Sequence, residues 1–337
     1  MKILPAAVAL LVLAGVLLGL RFLSAPRAAQ REGGLPRVLA PGFPLRVENG
    51  AGGVLELPAP PRRVLAANAA WVDYLSLLVE PERLCALPAE AFGYSRLALV
   101  DDPRWRALPQ LPGFEAERVL ALAPDLVLAH SWQSAETLDT LRRAGIPTLV
   151  VPVPESWQEI TDTLALLATL LDVPERGRAL AIELEQRRSA LRARAAPYAG
   201  WRALCYTNLG QGGWTAGART TFDVLLGLAG LANAAAEAGM VGDAPADRER
   251  LIAIDPELFV VGRPDRSESS PPSAEFLLGE PALAGLRALR ERRIVSLPPA
   301  LFTTASPELL TGAEALVDAL AELASAGAAR DSRPGGG

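Results

Sequence analysis

The sequence predicts an α/β protein of two Rossmann-like lobes joined by a single long α-helix. Three observations carry that expectation. Short apolar runs alternate with helix-like patterns on both sides of the middle of the chain. Residues 117–129 recur in register as residues 249–261. Between the two copies, residues 156–196 show only helical periodicity.

The first element is the N-terminus. Met1-Lys2 precedes an uncharged apolar run from Ile3 to Leu20, which Arg21 closes. A cationic start and an apolar stretch meet the requirements for entry to the secretory machinery. At 1.5 Å per residue the run spans ~27 Å, close to the ~30 Å hydrocarbon core of a bilayer. Residues 1–24 therefore read as a signal peptide or a retained membrane anchor, and either places the remainder outside the cytoplasm, in the periplasm or its equivalent. Ala25-Pro26-Arg27-Ala28-Ala29 puts Pro or Arg where a cleavage site wants small residues, and no cysteine follows for lipid attachment. Residues 25–35 form a tether without periodicity.

The N-terminal lobe is expected over 36–154. It opens with a β-hairpin, Pro44-Leu-Arg-Val-Glu-Asn-Gly50 and Val54-Leu-Glu-Leu57, turning at Asn-Gly. Buried strands follow at Val64–Ala67, Arg83–Leu87, Leu126–Ala129 and Thr148–Val151, with helical patterns between them. The helical linker covers 155–197. It starts at the capping box Ser156-Trp-Gln-Glu159 and contains a second helix over 175–195, ~30 Å long, which Pro197 and Gly200 end. The C-terminal lobe spans 198–325, with strands at Ala203–Tyr206, Leu258–Val261 and Ile294–Leu297 and a last helix over 311–324. Residues 326–337 read as a flexible, Gly-rich tail.

The repeat is specific in form. Glu117-Arg-Val-Leu-Ala-Leu-Ala-Pro-Asp-Leu-Val-Leu-Ala129 matches Glu249-Arg-Leu-Ile-Ala-Ile-Asp-Pro-Glu-Leu-Phe-Val-Val261. Each copy reads as a short helix, a Pro-acid turn and a buried strand, because Pro cannot continue a helix and the acid suits the turn.

Composition narrows the function. Half of the residues are hydrophobic, enough for two cores, and a net charge of −5 excludes the basic face of a nucleic-acid binder. The two cysteines, Cys85 and Cys205, fall in strands of different lobes and are expected to be buried free thiols. No glycine follows the first parallel strand in Gly-x-Gly-x-x-Gly spacing. The glycine-rich segment from Gly210 to Gly217 lacks the Lys-Ser/Thr of a phosphate loop. One histidine leaves no room for a Ser-His-acid triad beside any other role, and Gly-x-Ser-x-Gly is absent. The chain is not expected to be an enzyme, nor to carry a cofactor or a structural metal.

In its ordered motifs the chain resembles the periplasmic binding proteins for ferric siderophores, haem and cobalamin, the substrate-binding components of ABC importers. The motifs are Pro60-Pro-Arg-Arg-Val64, Leu120-Ala-Leu-Ala-Pro-Asp-Leu-Val127, Arg143-Ala-Gly-Ile-Pro147, Thr215-Ala-Gly217, Leu226-Gly-Leu-Ala-Gly-Leu-Ala-Asn233 and Ala305-Ser-Pro307. The departures are the missing lipid-attachment cysteine and Pro256-Glu257 in place of Pro-Asp. The resemblance implies a ligand cleft between the lobes, a stiff helical bridge and a permease partner in the membrane. It also implies that Glu117 and Glu249, each seven residues before the Pro of its turn, dock the permease. The expected ligand is a metal chelate, a ferric siderophore first, with cobalamin or haem as alternatives, bound by a monomer. A membrane-tethered structural or signalling protein that keeps the fold without a ligand is the rival class.

Ligands of open α/β sheets bind beyond the carboxyl ends of the strands. The residues there are Asn68, Trp71, Tyr94, His130 and Trp132 in the first lobe, and Asn208, Gln211, Trp214, Thr215, Arg219 and Phe302 in the second. The tryptophans suit an apolar macrocycle or aromatic chelate, and Arg219 an anionic group. A single histidine argues against a bare Zn²⁺ or Mn²⁺ receptor, which collects several ligands. One axial group suffices for haem, so His130 and Tyr94 keep that ligand open.

Overall fold

Every strand expected from the sequence is present. The computed structural model describes residues 34–331 except 41, 51, 209–212 and 263–271. The membrane-entry segment, most of the tether and Gln211 therefore lie outside the described residues. A three-stranded antiparallel sheet opens the chain: β1 (Arg37–Ala40), β2 (Leu45–Glu48) and β3 (Val54–Leu57). Strand β1, with only one apolar residue half-buried, carried no alternation to reveal it. The Asn49 side chain donates to Thr148 O (2.7 Å) and accepts from Val150 N (2.9 Å), which fastens the hairpin to the first lobe.

The first lobe holds a five-stranded parallel sheet in the order β6 (Gln110–Leu111), β5 (Leu84–Pro88), β4 (Val64–Ala66), β7 (Leu126–His130), β8 (Thr148–Val151). Strands β4, β5, β7 and β8 are buried at every position, as expected for a parallel sheet covered on both faces. In the second lobe β9 (Arg202–Asn208) pairs in parallel with β13 (Leu258–Gly262) and with β11 (Ala232–Asn233). Beyond β13 lies β14 (Ile294–Leu297), also parallel. On the other side β10 (Gly213–Ala216) runs antiparallel to β9 and to β12 (Asp243–Ala246). Cys85 and Cys205 are buried and free.

The repeat is a repeat of hydrogen bonds as well as of sequence. Ala123 and Asp255, at equivalent positions before the Pro, both take positive φ, 44° and 41°. Arg63 donates to the carbonyls of Ala123 (3.2 Å) and Leu122 (2.6 Å), capping the helix that ends there. Arg202 donates in the same way to Asp255 O (3.2 Å) and Ile254 O (2.9 Å). The acid of each turn accepts backbone N–H groups at the start of the neighbouring strand: Asp125 from Arg62 and Arg63, Glu257 from Arg202. Glu257 thus does the work of the usual Asp, and the Pro-acid turn ties strand start to helix end in both lobes.

The bridging helix is Pro174–Ala195, with Pro at its first turn, where no backbone donor is needed. Its buried residues are Gly177, Leu184, Leu191 and Ala195, a narrow stripe on an otherwise polar rod. At Gly177 a Cβ would lie 2.3 Å from Ala168 Cβ on the preceding helix, Trp157–Leu170. The polar faces are held by ion pairs to the last helix, Arg187 to Glu314 at 2.7 Å and Arg194 to Asp318. That last helix runs Glu308–Asp331, longer at both ends than the expected 311–324. The expected tail over 326–337 is therefore helical up to Asp331, because the Ala-rich segment there propagates a helix already nucleated by packing.

Candidate functional site

The carboxyl end of β7 carries a stack of rings. His130 ends the strand and is buried at 2% exposure; Trp71 lies on one side of it, centroids 4.5 Å apart and planes at 24°. Trp132 lies 6.3 Å away at 17° and is 37% exposed. Asn68 sets the orientation of the imidazole. Its Oδ1 caps the helix Ala69–Leu78 by accepting from Ala70 N (3.1 Å), so its Nδ2 is what faces His130 Nδ1 (3.0 Å) and Gln133 Oε1 (2.8 Å). Nδ1 is thus an acceptor and the ring proton sits on Nε2. Burial pushes the pKa of His130 down to about 3, so the ring is neutral at any ordinary pH. Gln133, which completes this cluster, was not singled out from the sequence; its position three residues after the histidine gave no periodic signal.

Tyr94 ends the short helix Ala91–Tyr94, which follows β5, and is 41% exposed. That helix packs against Pro299–Phe302 of the second lobe, so the segments bearing Tyr94 and Phe302 meet at the lobe boundary. Phe302 is buried and packs edge-on against Phe222 at 5.7 Å. On β10, Trp214 is half-buried and Thr215 buried on the opposite face. Four buried donors have no partner among the described residues, and two of them, Trp71 Nε1 and Thr215 Oγ1, belong to the residues expected at the site, one in each lobe. Asn208 is buried at the end of β9, with its N–H bonded to Ser273 Oγ (2.9 Å).

Arg219 is committed elsewhere. Its guanidinium bonds the Glu155 carboxylate at the start of the helical linker, Nε to Oε2 at 2.8 Å and Nη2 to Oε1 at 3.3 Å. Trp71 is wholly buried and supports His130 rather than lining a surface. A cavity of about 500 Å³ lies beside the bridging helix, lined by Glu155, Trp157, Arg188, Arg192 and Leu228 among others, away from His130 and Tyr94. Among the described residues no group of three or more His, Cys, Asp and Glu could hold a bare metal ion.

Glu117 and Glu249 occupy the first turns of Ala116–Ala121 and Arg248–Ile254. Both are exposed, and neither is hydrogen-bonded or ion-paired within the described residues. Their neighbours are engaged: Arg118 pairs with Glu115 (3.2 Å), and Arg248 with Glu280 (2.7 Å).

Residues 110–301, more than half of the chain, match the family model described as "Periplasmic binding protein". Among solved structures the chain is similar to the apo periplasmic haem-binding protein RhuT of Roseiflexus sp. RS-1, with 27% identity and a TM-score of 0.67. That match covers 79% of this chain and 99% of the other. A periplasmic haem-binding protein from Pseudomonas aeruginosa is 26% identical, with a TM-score of 0.65, over 77% of this chain and 92% of its own. An ABC-type Fe³⁺-hydroxamate transport protein from Saccharomonospora viridis shares the fold at 20% identity and a TM-score of 0.67, over 83% and 99% of the two chains. No curated protein sequence matches the chain. The chain belongs to the periplasmic binding protein family, and is a non-catalytic, extracytoplasmic substrate receptor of an ABC importer.

Proposed function

We propose that this receptor delivers an iron chelate to its permease and that the chelate is haem. The observation that carries the proposal is the pairing of an exposed phenol, Tyr94 at the lobe boundary, with a ring stack whose outer member, Trp132, is exposed at the same sheet edge. A phenolate is a competent axial donor to ferric haem, and indole faces suit a macrocycle. The haem-binding proteins of Roseiflexus and Pseudomonas aeruginosa, similar to this chain at 27% and 26% identity, support the same ligand. Between the two donors considered from the sequence, the hydrogen-bond pattern favours Tyr94. His130 is buried, carries its proton on Nε2, and would break its bond to Asn68 on changing tautomer. The sequence alone ranked a ferric siderophore ahead of haem; the donor chemistry of Tyr94 and the haem-binding relatives support the opposite order proposed here.

Trp132, Trp214, Thr215 and Phe302 are proposed to wall the cleft, with Asn68 and Trp71 holding His130 behind it. Glu117 and Glu249 are proposed to meet the permease, because both are exposed, unpaired and placed by the same repeat. Titration with haemin, cobalamin and a panel of ferric siderophores, followed by absorbance and Trp fluorescence, tests the ligand. Haemin is expected to bind with a tyrosinate-type ferric spectrum that Tyr94→Phe abolishes. Saturable binding of a siderophore with no haemin binding would replace haem by that chelate, and flat titrations across the panel would remove the iron-chelate reading.

A further inference from the structure

The lobes meet at a second junction besides the bridging helix, and it is polar and buried. The helix Ala69–Leu78 is apolar except for Asp73 and Ser76, and Asp73 is wholly buried. Asp73 Oδ1 accepts the backbone N–H of Arg96 at 2.7 Å, two residues beyond Tyr94. Asp73 Oδ2 lies 2.6 Å from Thr304 Oγ1 and 2.6 Å from Ser306 Oγ, two buried hydroxyls of the other lobe just beyond Phe302. Those hydroxyls are 2.7 Å from each other. Arg96 crosses the same boundary, its Nε bonding Glu308 Oε1 at 3.0 Å.

Three oxygens in mutual contact make three hydrogen bonds only if three protons are present. Thr304 and Ser306 supply two. With Asp73 ionised, one contact is oxygen against oxygen. With a proton on Asp73 Oδ2 the ring closes: acid to one hydroxyl, that hydroxyl to the other, and the second back to the acid.

The surrounding groups point the same way. Glu308 faces the site from the last helix, and its negative charge disfavours a second anion. The Arg96 guanidinium is turned to Glu308 and to Ser76 Oγ. From the bridging helix, Arg187 is taken by Glu314 and Thr311. On the helix of Asp73 itself, the Tyr74 phenol is buried and held un-ionised, and Ser76 donates to the Asp73 carbonyl. Among the described residues no cation bonds the Asp73 carboxylate. Burial, the largest cause, pushes its pKa up to about 7 in spite of those hydrogen bonds.

We propose that Asp73 is a positioning residue for the cleft: protonated, it locks Thr304 and Ser306 to the Arg96 backbone and so fixes the Tyr94 segment against the Phe302 segment, and on losing its proton to water it loosens that junction. The placing of Tyr94 and Phe302 at the ligand rests on the function proposed above; the junction itself does not. The sign follows from linkage. An acid that binds its proton more tightly in the fold than at its ordinary 3.8 stabilises the junction fully below that value, and the contribution is lost as pH rises through about 7.

The test needs no ligand, so failure of the haem reading leaves it intact. Spin labels are placed on the full chain at Glu136→Cys and Glu275→Cys, exposed sites in opposite lobes, where the buried Cys85 and Cys205 do not compete. Between about pH 5 and about pH 8.5 the inter-label distance distribution of the parent is expected to broaden. Asp73→Asn is expected to stay narrow at both pH values, because its amide oxygen keeps the Arg96 bond and its NH₂ supplies the missing proton. An unchanging parent distribution, or an Asn variant that responds as the parent does, overturns the proposal. Should the variant fail to fold, carboxyl carbon NMR of the parent decides. One buried aspartate titrating near neutrality supports the proposal, and none titrating above about pH 5 overturns it.

Discussion

Arg219 of the second lobe and Glu155 at the start of the helical linker form a two-pronged ion pair, Nε to Oε2 at 2.8 Å and Nη2 to Oε1 at 3.3 Å. Arg219 makes this contact from a left-handed backbone, φ 61°, immediately before the N-cap Thr220 of helix Thr221–Leu228. Glu155 sits just ahead of the Ser156 cap on the other side. The second lobe is therefore tied to the start of the linker where two helices begin, Trp157–Leu170 and Thr221–Leu228.

Because the Arg219 guanidinium is open to solvent, the pair adds little to stability, while a non-glycine residue at positive φ costs about 1–2 kcal/mol. Arg219→Gly should therefore be more stable than Arg219→Ala by about 1 kcal/mol. Denaturant unfolding of the two variants measures this, and an Ala variant as stable as the Gly variant would contradict the backbone argument.

Arg202 should matter to the second lobe as Arg63 does to the first. Arg202→Ala leaves the carbonyls of Ile254 and Asp255 uncapped and is expected to cost about 1–2 kcal/mol. Arg202→Lys should recover only part of that, since one ammonium cannot reproduce the guanidinium's fork onto two carbonyls and Glu237. Equal stability of the Ala and Lys variants would argue that the cap is incidental.

Glu117 and Glu249 make no bond that their removal would break, so Ala at either should change stability by less than about 0.5 kcal/mol. Ligand affinity should be unchanged and cellular uptake should fall, more in the double variant than in either single one. Loss of a desolvated charge at an interface costs about 2–5 kcal/mol, so the Glu117→Arg, Glu249→Arg double variant should be the most severe. Normal uptake with that variant would leave the two residues as ordinary helix-start acids.

His130 and Asp73 should pull stability in opposite directions over the acid range. The histidine is held neutral, with its pKa lowered from 6.5 to about 3, so its contribution is present above 6.5 and is lost as pH falls towards 3. Replacing it by Asn should flatten the acid side of the melting-temperature profile, and the difference between parent and variant should shrink as pH falls from about 7 to about 4. A difference that is constant with pH would mean that the imidazole is not buried as a neutral ring.

Much of this could be read from the sequence because its causes are local. The strands β4, β7 and β8 are short apolar runs that can only be buried, and each was located to within a residue. The Pro-acid turn is written into residues 123–125 and again into 255–257, where Pro stops the helix and the acid collects strand N–H groups. Strands β10 and β12 were missed because they run antiparallel at a sheet edge and carry Gly and Pro, which local propensity assigns to loops. The length of the last helix was missed because its packed part, held to the bridging helix through Arg187 and Arg194, nucleates a helix that the Ala-rich segment after residue 324 propagates without an apolar stripe of its own.

The site divides along the same line. Sequence alone determined the two-lobed plan and the bridge, and it gave a pool of residues beyond the strand ends, because strand direction and loop position follow from the βα alternation. Only the tertiary structure decided what each member of that pool does: Arg219 is spent on Glu155, Trp71 is buried behind His130, and Tyr94 stays exposed beside the Phe302 segment. Asp73 and its partners Thr304 and Ser306 are 231 and 233 residues apart in the chain. A buried acid in an apolar helix is visible in the sequence, but the hydroxyls that share its proton reach it only when the two lobes fold against each other.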